Sequence, residues 1–191
     1  MAHTGQHNMR FVFMGNCQMV ALCQYIRNLS RDYETLWVCP DRFKDSFWVT
    51  SKPRFENIFG IEQSKHNITE HSKIIESLQT TDVVVYQPHF DSNNIVEDNC
   101  RNNQIKITIA PIFVNSTERM KIKEKKYNTN IKVSEIIEKN KDKTLYVKDK
   151  DNHPSSFLLL EIVREICALL DIEFYQDEKY KELLNKQYPY Y

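Results

Sequence analysis

The sequence predicts an α/β protein: a mostly parallel sheet held between two helical layers, a three-layer α/β/α sandwich. Three observations predict it. Arg10-Phe11-Val12-Phe13-Met14 and Asp82-Val83-Val84-Val85-Tyr86-Gln87 are short β-prone runs, and their apolar character suits strands covered on both faces. Each stops abruptly, at Gly15-Asn16 and at Pro88-His89. Segments with helical periodicity alternate with the strand-like runs, the order that parallel crossover connections require.

After the first strand, Val20, Cys23, Ile26 and Leu29 recur at helical spacing, which predicts a helix from about Cys17 to Leu29. Glu34 to Cys39 reads as a second strand stopped by Pro40. Asp41 to Gly60 is aromatic-rich and reads as loop with short elements. Ile74, Ile75 and Leu78 give Thr69 to Gln79 a helical pattern, and Asp82 to Gln87 is the clearest buried strand. Ile105 to Ile109 predicts another strand, followed by Pro111-Ile112-Phe113. Lys121 to Asn130 is charged, with lysines 121, 123, 125 and 126 interleaved with Glu124, and reads as solvated surface. Ile131 to Asn140 and Ser155 to Leu170 read as helices. In the latter, Leu159, Ile162, Val163, Ile166, Leu169 and Leu170 form the apolar face, and Pro154 suits the first helical position. The expected organisation is a polar extension over 1–8, an α/β catalytic domain over 9–172, and a helix and tail over 173–191 packed on the same domain.

Composition limits the function. The chain of 191 residues is 41% hydrophobic and 12% aromatic, enough for a real core. Its formal net charge of zero argues against a general nucleic-acid binder. No stretch approaches the ~20 apolar residues of a membrane span, so no membrane insertion is expected. The first eight residues lack a signal-peptide core, and five dispersed cysteines, at 17, 23, 39, 100 and 167, read as reduced thiols. Cytoplasmic location follows as the expectation. The triplets at Asn28, Asn67 and Asn115 then carry no glycosylation message. No His/Cys/Asp/Glu cluster has metal-ligand spacing, and the dinucleotide, P-loop and Gly-x-Ser-x-Gly signatures are absent.

In an open parallel sheet, ligands collect beyond the carboxyl ends of the strands. Gly15 to Gln18, Gln87 to His89, and Asn115 fall at predicted strand ends, and Asn152-His153 stands where a helix begins. A turn feeding a helix offers backbone N–H groups and the positive end of the helix dipole, which suit a phosphate or an oxyanion. Gly15 permits close approach to a ligand or an unusual backbone conformation. Cys17 in the first helical turn is either a thiol of lowered pKa, hence a nucleophile, or a small buried apolar residue. His153 is either a general base, oriented by Asp151 or Asp149, or a capping or exposed histidine. Gln87 and His89 either read polar groups of a substrate or satisfy buried backbone.

The run Phe11-Val12-Phe13-Met14-Gly15-Asn16-Cys17-Gln18 resembles the opening signature of the WcbI-type polysaccharide-biosynthesis family. Val83 to Gln87, Asn152-His153-Pro154-Ser155 and, more weakly, Ala110-Pro111-Ile112-Phe113 are similar to further parts of it. The resemblance implies a fold akin to the SGNH hydrolases, binding of coenzyme A, and acetyl transfer in building surface glycans. It places Cys17 at the position of the SGNH nucleophile and His153 at that of the catalytic histidine. The residue three before His153 is Lys150, so the SGNH Asp-x-x-His spacing is broken, which favours direct transfer over a covalent intermediate.

The expectation is therefore an acetyl-CoA-dependent sugar acyltransferase. His153 and Cys17 are its candidate catalytic residues, and Gly15, Asn16, Cys17 and Gln18 hold coenzyme A. Gln87, His89 and Asn152 meet the acceptor, a sugar or nucleotide-linked amino sugar, while Lys52 and Arg54 meet coenzyme A phosphates. No metal is expected. The alternatives are an SGNH-like esterase or deacetylase of acetylated glycans, and a non-catalytic glycan-binding module in which Tyr188, Tyr190 and Tyr191 stack on sugars.

Overall fold

Four parallel strands and one antiparallel strand form a single sheet in the computed structural model, which describes residues 9–30, 32–40, 47–49, 71–88, 92–112, 117–146 and 153–174. In chain order the elements are β1 (Arg10–Met14), α1 (Cys17–Leu29), β2 (Glu34–Pro40), β3 (Phe47–Val49), α2 (His71–Thr80), β4 (Val83–Tyr86), α3 (Ser92–Asn99), β5 (Ile105–Thr108), α4 (Thr117–Tyr127), α5 (Val133–Lys139) and α6 (Ser156–Leu169). The strand order is β3-β2-β1-β4-β5. β1 pairs in parallel with β2 and β4, β4 with β5, and β3 runs antiparallel on β2.

Side-chain alternation along the strands divides the core into two layers. Phe11, Phe13, Trp37, Val83, Val85 and Ile107 face α1, α4, α5 and α6, where Tyr25, Met120, Ile136, Leu159 and Val163 complete the larger cluster. Val12, Met14, Val38, Val84 and Tyr86 face the other way, onto Ile74 and Leu78 of α2 and Val96 of α3. Helices therefore cover both faces, as a three-layer α/β/α sandwich requires.

Several elements differ from the sequence expectation. In the Asp41 to Gly60 segment, expected as loop with short elements, β3 is one such element and the remainder lies outside the described residues, whereas Ser92–Asn99 is a helix that Asn and Asp content conceals. The lysine-rich stretch read as plain surface is largely the helix α4. Its inward positions are Met120 and Glu124, while Ile122 points out, so the apolar pattern is inverted. Buried Glu124 is satisfied locally: the backbone N–H and hydroxyl of Ser134 both donate to its carboxylate, pinning α5 to α4. Pro154 is not the first residue of α6. It forms a bridge with Tyr146, and Ser155 is the N-cap, its hydroxyl accepting from the Leu158 N–H at 3.3 Å. The 173–191 element lies outside the described residues beyond Phe174.

The outer edge of β5 is partly capped. Asn130 Oδ1 accepts from both the Thr108 N–H and the Thr108 hydroxyl at 2.8 Å, and the Asn130 and Ile131 N–H groups donate to the Thr108 carbonyl. Among the described residues, no helix is long and apolar enough to cross a membrane.

Candidate functional site

From β1 the chain steps outward to β2 and β3, then returns to the other side of β1 to form β4 and β5. The β1/β4 boundary is therefore where the winding direction reverses, and the crevice beyond the carboxyl ends of those strands is the expected ligand position. The Gly15–Gln18 turn leaves β1 there, and Gln87-Pro88 leaves β4.

The turn is held by hydrogen bonds to β2 and to the residue that follows β4. Gly15 has φ +152°, in the region that favours glycine, and its N–H donates to the Val38 carbonyl at 2.9 Å. The Gly15 carbonyl accepts from the Trp37 indole N–H at 3.1 Å. A Cβ added at Gly15 would lie 2.6 Å from Gln87 Oε1 and 2.8 Å from Met19 Cγ. The bare Cα thus makes room for Gln87 and Met19. The unusual conformation that the sequence allowed for Gly15 is present.

Asn16 is the N-cap of α1, its Oδ1 accepting from the Gln18 N–H at 2.9 Å while its carbonyl accepts from the Met19 N–H. Its own N–H donates to Gln87 Oε1 at 3.1 Å. That bond alters the oxyanion expectation, because the Asn16 amide is already engaged. The hydrogen bonds among the described residues account for the amides of Asn16, Gln18 and Met19, and not for that of Cys17 at the head of α1. The Cys17 side chain lies outside the described set.

Gln87 and Gln18 are 1% and 7% exposed, which decides how their amides are used. Gln87 Nε2 donates to Gln18 Oε1 at 3.2 Å, Gln18 Nε2 donates to the Ile112 carbonyl at 2.9 Å, and the Ile112 N–H returns a bond to Gln18 Oε1 at 3.0 Å. One chain of amides therefore fastens the segments that leave β1, β4 and β5. Both glutamines position the corner, and the bonds described here turn them toward protein. The sequence reading missed two anchors, Trp37 and the Ile112 backbone. The signal for the first was available, since a buried indole N–H needs an acceptor.

Tyr86, next to Gln87 but on the opposite face, donates its hydroxyl to Glu97 at 2.8 Å. Burial, and then the Glu97 carboxylate, push its phenol far above the ordinary range, so it stays neutral. Lys106 Nζ donates to the same carboxylate at 2.8 Å, and that bond, followed by the Tyr86 bond, holds Glu97 below its usual range.

His153 stands three residues before α6, half-buried, with Nδ1 shielded from solvent. Ser155 locks the backbone around it: its N–H donates to the Leu145 carbonyl at 2.8 Å and its hydroxyl to the Thr144 carbonyl at 2.6 Å. Ser156 lies beside the buried Tyr25 hydroxyl of α1, where burial raises the phenol pKa and Ser156 partly offsets that rise. Tyr25 is eight residues beyond Cys17, about 12 Å along the helix, and helical side chains lean back toward the N-terminus. This contact joins the mouth of α6 to the third turn of α1.

Gly15, Asn16, the Cys17 backbone, Gln18 and Gln87 are thus brought to one corner. His89, Asn115, Asn152, Asp149, Asp151, Lys52, Arg54, Tyr188, Tyr190 and Tyr191 lie outside the described residues. Among the described residues, no group of three or more His, Cys, Asp or Glu could hold a metal ion. A cleft of about 310 Å³ lies at the opposite, amino-terminal edge of the sheet, lined by residues including Arg10, Glu34, Ser77 and Thr81, away from this corner. No family model matches the chain, and no curated protein or solved structure shows significant similarity to it.

Proposed function

We propose that this chain is a coenzyme A-dependent acyltransferase that acetylates a sugar, at the amine of a nucleotide-linked amino sugar, in making surface polysaccharide. The observation that carries the reading is the corner at the β1/β4 reversal. There a positive-φ glycine, an N-capped helix and a buried glutamine chain make a polar strand-end turn. The alternative roles of Gly15, Gln18 and Gln87 narrow accordingly, because in this reading they fix the geometry.

Acetyl-coenzyme A lies across the carboxyl edge with its thioester carbonyl toward the Cys17 N–H and the positive end of α1. The acceptor nitrogen attacks the carbonyl carbon, and His153 takes the proton that nitrogen loses. The tetrahedral intermediate collapses with cleavage of the C–S bond, and the proton passes to the departing thiolate. The products are the N-acetyl sugar and free coenzyme A. Direct transfer leaves Cys17 chemically unchanged.

The test mixes the protein with acetyl-coenzyme A and a panel of amino sugars and follows release of free thiol, alongside the melting-temperature shift caused by coenzyme A. Release that depends on the acceptor supports the reading. His153→Ala should then lower kcat by on the order of 100-fold or more with little change in KM for acetyl-coenzyme A. Cys17→Ala should keep most of the turnover. Absence of both thiol release and a coenzyme A shift refutes the proposal. Cleavage of nitrophenyl acetate with no response to coenzyme A replaces it with the SGNH-like esterase.

A further inference from the structure

The sequence is neutral overall, but its charge is unevenly placed. Residues 117–143 carry nine lysines and arginines against five acids, so the rest of the chain has a matching acidic excess. One of those five acids, Glu124, is buried and satisfied by Ser134, which leaves the outer surface of α4 and α5 more basic still. A second, Glu138, pairs with Lys121 at 2.6 Å.

The helix α4 concentrates this charge. Met120 and Glu124 define its inward direction, and at about 100° per residue Ile122 projects almost diametrically away from them. Ile122 is 61% exposed at the crest of the solvent face. Arg119 and Lys126 flank it on one side and Lys125 on the other, with Glu118 the one acid among them, all four exposed. Burial first, and then Arg119 and Lys126 at four and three residues' spacing on the same side of the helix, disfavour the charge of Lys123.

We propose that the exposed face of α4, built from Arg119, Ile122, Lys125 and Lys126, docks peripherally on an anionic lipid bilayer. Charge complementarity selects an anionic partner, and the centre of the patch selects the bilayer. An aliphatic side chain at the crest of a convex helix gains nothing from a phosphodiester backbone, whereas it can enter the boundary between headgroups and acyl chains. The surrounding lysines reach the headgroups with their ammonium ends. The single arginine among these cations points the same way. Nucleic-acid and phosphate recognition relies on the bidentate guanidinium, while attraction to a charged surface needs only point charges. The docking is superficial, and it stands independently of the acyltransfer reading.

The test is co-sedimentation of the full chain with vesicles of phosphatidylcholine containing one-third phosphatidylglycerol, with pure phosphatidylcholine vesicles and a short DNA duplex in parallel. Binding to the anionic vesicles at low salt is expected, with little to the neutral ones and release at about 1 M salt, where the Debye length is about 3 Å. Each neutralised cation should weaken partitioning about fivefold, so Lys125→Gln with Lys126→Gln should weaken it ~25-fold. Ile122→Ser should weaken it several-fold without changing the salt dependence. All three sites are exposed, and an unchanged melting temperature confirms that the variants fold. Equal binding to neutral vesicles, failure to bind anionic ones, or binding indifferent to these substitutions overturns the proposal. Duplex binding lost in the same variants, without vesicle binding, replaces it with a nucleic-acid surface.

Discussion

Replacing Gly15 with alanine puts a methyl group where Gln87 already stands. Two costs follow. The backbone at φ +152° is sparsely populated for a residue with a Cβ, worth about 1–3 kcal/mol. The new Cβ also meets Gln87 Oε1 at 2.6 Å and Met19 Cγ at 2.8 Å, and overpacking of this kind costs about 1–3 kcal/mol. Gln87 cannot yield freely, because moving its amide breaks the bonds to Asn16 and Gln18. The expected total is about 2–6 kcal/mol, or roughly 4–24 °C in melting temperature for a chain of this size. Gln87→Ala alone should cost about 2–4 kcal/mol through orphaned buried partners and a cavity. The two costs share one contact, so they should not add. Removing the Gln87 amide relieves much of the clash and leaves the backbone strain, so the double variant should be more stable than the sum of the singles predicts by about 1 kcal/mol or more. Urea unfolding of the parent, both singles and the double, followed by circular dichroism, measures this directly. Additive costs, or a Gly15→Ala variant within about 0.5 kcal/mol of the parent, would refute the packing argument.

Ser134→Ala removes one of the two donors, the hydroxyl, from a carboxylate that is 3% exposed, and urea unfolding should show a loss of about 1–3 kcal/mol, with Ser134→Thr partly restoring it. Burial pushes the Cys23 thiol up to about 11 and the Cys167 thiol up to about 12, so neither should react with a thiol reagent at neutral pH until the chain opens; titration in rising urea checks this. Glu97 is held below its ordinary pKa by Lys106 and then Tyr86, so its stabilisation is complete above the unfolded carboxylate value and is lost as pH falls through the lower folded value. Glu97→Gln should therefore flatten the acid limb of a stability–pH curve.

The parallel framework was legible because its strands are short apolar runs with polar stops. Arg10–Met14 and the helix after it match the sequence boundaries, and the buried Val83–Tyr86 run differs only at its ends. What escaped has physical causes. In α4 a charged residue points inward and an isoleucine outward, so periodicity misleads until Ser134 is known to satisfy Glu124. In α3 the polar residues hide a helix that buries little beyond Val96. β3 has only three residues, too few for any pattern. Strand ends also located the corner in sequence, yet sequence alone left open what its glutamines do. Polar side chains at a strand end look alike whether they meet a ligand or each other, and only the bonds joining Gln87, Gln18 and Ile112 separate those uses.

Asn130 settles a different matter, how far the sheet can grow. Its side-chain oxygen takes the place of the carbonyl that a sixth strand would present to Thr108, a counterfeit rung on the ladder. A second molecule seeking to zip onto this border meets, at that rung, an amide already matched from within the same chain.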